Sequence, residues 1–112
     1  MDFILSHLRA TLEYQSFLKQ VQDDTRLPAL GLARAARLPV LAALRGDLNR
    51  PIVLVTDRAD HALALYDELS FWVPFSPRHL FPEPTPLFYE EAAWGSAIRR
   101  ERLQTLTSLS LY

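Results

Sequence analysis

Asn49-Arg50-Pro51-Ile52-Val53-Leu54-Val55-Thr56-Asp57 is the stretch on which the fold turns. Its four central residues are apolar and mostly β-branched, with Pro51 before them and Thr56-Asp57 after. A continuous run of this kind, without polar alternation, predicts a strand buried on both faces, as in a parallel sheet. Asp57 then serves as the N-cap of a following helix, with Asp60 favourable in its first turn. In that helix Ala59, Ala62, Leu63, Tyr66, Leu69 and Val73 fall on one stripe at helical spacing, opposite His61 and Glu68. Upstream, residues 33–44 are rich in Ala, Leu and Arg and predict another helix. Pro39 is compatible with it only if the helix begins near Ala35 or Ala36, because first-turn N–H groups have no intrahelical partner to lose. Gly46 and Asn49 mark its stop.

Further out, residues 2 to about 22 predict a helix whose apolar face includes Ile4, Leu8, Leu12, Tyr14, Phe17, Leu18 and Val21, ended by Asp23-Asp24-Thr25. Arg78 to Phe81 predicts a second short strand. Pro82, Pro84 and Pro86 make the next stretch a loop. Glu90-Glu91 open a last helix, and Arg99, Arg100 and Arg102 further along it suit the macrodipole. Helix, strand, helix, strand, helix is the order of an α/β domain with a doubly wound parallel sheet. A complete one needs more than two strands, so a fragment of a longer protein is expected. The apolar last residues, Leu109, Leu111 and Tyr112, point the same way.

The chain has 112 residues, 49% of them hydrophobic and 22% charged, with a formal net charge of −1. That length suits one domain able to bury roughly 60 to 70% of its unfolded surface. Near-neutral charge gives no basic excess to displace phosphate counterions, which argues against direct nucleic-acid binding. Eleven of the twelve basic residues are Arg, as a G- and C-rich genome would produce. With no cysteine there is no disulfide, thiolate metal site or thiol nucleophile. The N-terminus lacks the basic start and cleavage site of a signal peptide. The longest apolar run, Leu38 to Leu44, is far below the roughly 18 residues of a membrane span. A soluble, cytoplasmic protein with no membrane contact is expected.

Few residues carry chemistry. His7, His61 and His79 lack the i, i+4 partner that would share a metal. Asp23-Asp24, Asp67-Glu68 and Glu90-Glu91 are sequence neighbours that diverge on a helix rather than converge on a substrate. No serine has the glycines of a nucleophile elbow. No catalytic and no metal-binding residue is expected. Trp72 and Trp94 read as core or interface aromatics.

One segment does suggest a lost site. A phosphate-binding loop requires Gly-x-x-x-x-Gly-Lys-Ser/Thr, so that backbone N–H groups face the phosphates, the Lys reaches them and the hydroxyl holds magnesium. Here Gly31-Leu32-Ala33-Arg34-Ala35-Ala36-Arg37-Leu38 stands at that point. Only Gly31 remains. Ala36 brings a methyl group where backbone must approach phosphate, Arg37 replaces Lys, and Leu38 has no oxygen for a metal.

From Gly31 to Leu48, and on through Asn49-Arg50-Pro51 into Ile52-Val53-Leu54-Val55, the order and spacing resemble the start of the nucleotide-excision-repair helicase UvrB. The remainder resembles the UvrB-like N-terminal module of the bacterial transcription-repair coupling factor (Mfd) family. Ala62 to Phe71, with Leu65-Tyr66-Asp67-Glu68-Leu69, is similar to that module's helix after the strand. Phe81-Pro82-Glu83-Pro84-Thr85-Pro86-Leu87-Phe88-Tyr89-Glu90 echoes its Phe-Pro signature, with Glu83 displaced by one or two positions and Phe88 in place of a Pro. Arg102-Leu103-Gln104-Thr105-Leu106 echoes its closing Arg-Leu-x-x-Leu. The similarity covers about 27–106, so residues 1–26 form an N-terminal helix and linker and 27–112 a truncated UvrB-like lobe. The family signature residues are Phe81, Pro82, Glu83, Tyr89, Glu90, Arg102, Leu103 and Leu106.

The resemblance implies a RecA-like, P-loop-type frame with a degenerate Walker A loop, and a parent protein that is a superfamily 2 DNA translocase. In that family ATP and magnesium act at the motor, while UvrA, RNA polymerase and DNA are bound by other domains. It implies a non-catalytic scaffold that packs on the motor and itself holds no cofactor. The alternative is an NTP-binding domain in which Arg37 grips phosphate bidentately in place of Lys.

Overall fold

The structure, a computed structural model, describes residues 2–27, 29–84 and 95–112. Its elements are α1 (Asp2–Arg9), α2 (Leu12–Gln22), a 3₁₀ turn (Arg34–Ala36), α3 (Arg37–Asp47), α4 (Ala59–Trp72) and α5 (Ser96–Ser110). They fall into two compact units, Met1–Ile52 with Phe71–Pro74, and Val53–Ser70 with Phe75–Tyr112.

In the first unit the expected N-terminal helix is two helices. Thr11 separates them in extended backbone, its hydroxyl donating to Leu8 O (2.7 Å) and accepting from Tyr14 N (3.3 Å). That is N-capping, which offers the first N–H groups of α2 a partner they would otherwise lack. The other end of α2 closes as a Schellman motif. Asp24 takes a left-handed conformation (φ 53°), Asp24 N bonds Val21 O and Thr25 N bonds Gln20 O. Its carboxylate accepts from Arg50 Nη1 at 2.9 Å.

Helix α3 begins at Arg37, with Pro39 as its third residue, inside the first turn where a proline costs nothing. Leu5, Tyr14, Ala42 and Ala43 form a core onto which Leu8, Leu18, Leu44, Trp72 and Val73 pack. Leu38, Val40 and Leu48 are buried as well. Gly46 lets the Arg9 guanidinium lie close against α3, where it donates to Asp47 and to Ala43 O; a side chain at position 46 would displace that guanidinium. Tyr14 Oη donates to the same Asp47 at 2.6 Å. Burial first, and then this carboxylate, push the Tyr14 phenol well above the ordinary tyrosine range.

The expected doubly wound parallel sheet, and with it the RecA-like, P-loop-type α/β frame, is not what the structure contains. No strand occurs among the described residues, and all their regular structure is helical. Ile52–Val55 is non-helical, with Val53 73% and Val55 85% exposed. A strand exists only where a neighbour pairs its N–H and C=O groups, and among the described residues none does so. The second expected strand, Arg78 to Phe81, is instead held along α5 by side chains. Arg102 Nη1 donates to Pro82 O (2.8 Å), Thr105 Oγ1 to Leu80 O (2.9 Å), and Ser108 Oγ meets His79 Nε2 at 2.9 Å. The opening of the last helix at Glu90-Glu91 lies outside the described residues.

Helix α4 does form over the amphipathic segment, but none of its residues is buried and Leu63 is half exposed. Asp57 is not its N-cap. It stands two residues before the helix, and its carboxylate accepts from His61 Nδ1 at 2.8 Å. No helix of the described residues is long and apolar enough to cross a membrane.

Candidate functional site

The phosphate-loop-like segment has lost its shape as well as its residues. Gly31 lies in irregular backbone without positive φ, and open space surrounds the position of a side chain there, so nothing requires a glycine. Residues 34–36 coil into the 3₁₀ turn, and Ala36 precedes α3 as a cap without any side-chain hydrogen bond. Arg37 is exposed at the first position of α3. Leu38, where a loop of this type places its magnesium-binding hydroxyl, is 5% exposed and belongs to the buried set of the first unit. At the helix start Arg37 makes no ion pair with any described residue, and the cap makes no side-chain hydrogen bond.

The signature residues behave differently. Phe81, Pro82 and Arg102, separated by twenty positions, meet. The Arg102 guanidinium stacks over the Phe81 ring at 4.0 Å while donating to Pro82 O. Cation–π contact plus a charge-assisted hydrogen bond makes this a clamp between the extended segment and α5. Glu83 is exposed and stands apart from it, as do Leu103 and Leu106, both largely exposed on α5. Tyr89 and Glu90 lie outside the described residues.

A groove of about 1000 Å³ runs along α5 beside this clamp. Arg78 and His79 line one side, and Ser96, Arg99, Arg100 and Leu103 part of the other. Tyr66, on α4, carries the Arg78 guanidinium over its ring at 5.3 Å. The His79–Ser108 contact fixes the imidazole beside the last turns of α5. Among the described residues, no carboxylate lines the groove.

Sequence reasoning passed over this groove. Arg99 and Arg100 were expected far along a helix opened by acids, where cations complement the dipole. In the structure α5 starts at Ser96, has no acid in its first turn, and carries both arginines at its fourth and fifth positions. Cations there oppose the partial positive charge of the helix start. Two adjacent arginines after a glycine were the only sequence signal. No group of three His, Cys, Asp or Glu residues that could hold a metal ion occurs among the described residues.

Comparison of the chain with protein-family models, with curated proteins and with solved structures finds no match.

Proposed function

We propose that the chain is a non-catalytic lobe of a transcription-repair coupling factor, part of a UvrB-like module in a cytoplasmic DNA-repair translocase. In this reading the parent's motor uses ATP and magnesium, displaces stalled RNA polymerase and tracks DNA, and other domains recruit UvrA. The lobe contributes surfaces that pack within the parent and restrain the motor. The reading rests on the order and spacing of the motifs between Leu27 and Leu106, not on a sheet.

One observation supports the loss of catalysis above all others: Leu38 faces the protein interior at the position that would hold the metal-binding hydroxyl. A buried leucine has no lone pair to offer magnesium, and turning it outward would expose apolar surface and leave a cavity. Ala36 and Pro39 remove further phosphate contacts, since one adds a methyl group and the other lacks an N–H. Each charge-assisted hydrogen bond lost removes about 1.5 to 3 kcal/mol of binding, which leaves little affinity once several are gone.

Calorimetric titration of the chain with ATP and magnesium, beside Arg37→Ala, tests this directly. The scaffold reading expects no heat that depends on Arg37 at nucleotide concentrations of about 1 mM. Micromolar binding abolished by Arg37→Ala would overturn it in favour of the NTP-binding alternative. The pathway is tested separately, by disrupting the gene in its own host. Loss of preferential repair of the transcribed strand is expected, and unchanged strand bias would remove the coupling-factor reading.

A further inference from the structure

No further inference is drawn: the strongest candidate, the exposed apolar patch of Val53 and Val55 in the non-helical segment before α4, carries nothing because nothing in the structure shows what covers it.

Discussion

The two units of the chain hold together in opposite ways. Among the described residues, every buried side chain lies in the first unit: Leu5, Tyr14, Leu38, Val40, Ala43 and their neighbours are shut away from water. In the second, Val53, Val55, Leu103 and Phe75 stay largely exposed, and Phe75 is 99% accessible. There the extended segment from Arg78 to Pro82 is pinned by Arg102, Thr105 and Ser108, which recur three residues apart along α5. Packing excludes water and yields free energy with every methylene buried, whereas pinning by exposed polar groups exchanges water bonds for protein bonds at small net gain. Stability should therefore reside in the first unit, while the second keeps its charged groove open to solvent.

The largest expected effect would break this contrast if it failed. Leu38→Ala removes a buried side chain and should lower the stability of the first unit by about 2 to 5 kcal/mol, depending on how far the site collapses. Leu103→Ala, on the exposed face of α5, should change stability by less than about 0.5 kcal/mol. Thermal unfolding followed by circular dichroism measures both. Equal losses would mean that the second unit has a core of its own.

Tyr14→Phe sharpens the comparison at an intermediate scale. The hydroxyl donates to a partly exposed Asp47 that Arg9 also pairs, at 3.1 Å, so removal should cost about 1 to 2 kcal/mol. Its pH dependence has a definite sign. A phenol whose folded pKa is raised holds its proton longer when folded, so its contribution is complete below the unfolded value near 10. As pH rises from there toward the folded value, stability falls. Denaturant titrations above pH 10 should show this decline in the parent protein and a shallower one in Tyr14→Phe.

What the amino-acid order made legible follows the same division. The α3 boundary was readable because Pro39 permits only a start close before it. Helix α4 was readable from spacing alone, although spacing says which residues share a face and nothing about whether a core exists to receive it. The N-terminal face was legible in part: Leu8, Tyr14 and Leu18 do reach the core, while Ile4 is half exposed and its neighbour Leu5 is buried in its place. Ile52-Val53-Leu54-Val55 misled for a physical reason. β-Branched apolar runs encode a preference for extended, buried backbone, but the pairing partner is a property of the rest of the chain. The arginine groove escaped notice because its charge sits on segments twenty residues apart and depends on where α5 begins.

Arg102→Ala probes the pinning in the second unit and should act locally. Losing the contact over Phe81 and the bond to Pro82 O removes about 1 kcal/mol from the attachment of the extended segment. Larger backbone motion at Leu80, Phe81 and Glu83, read as a lowered heteronuclear NOE, is expected, with the first unit's melting unchanged. Arg102→Lys should restore little, since an ammonium lacks the planar fork that stacks and donates together. Backbone motion unaltered in Arg102→Ala would leave Thr105 and Ser108 as sufficient anchors.

The smallest effect belongs to the start of α4, where both partners are exposed. Donation from His61 Nδ1 holds the Asp57 carboxyl below the usual aspartate range, ahead of smaller contributions from backbone N–H groups. A carboxyl with a depressed folded pKa contributes above its unfolded value of about 3.9 and ceases to contribute as pH falls through the folded one. Solvent screens an exposed pair, so the change should appear in the first turns of α4 rather than in global melting. Following the His61 and Ala62 amides by NMR from neutral pH into acid should show that turn loosening only in the acid limb. Asp57→Asn should abolish the pH dependence while leaving the helix formed, because Ala62 N still bonds Arg58 O and the opening turn does not rest on the carboxylate alone. Melting of the whole helix in that variant would instead make the Asp57–His61 contact the element that nucleates it.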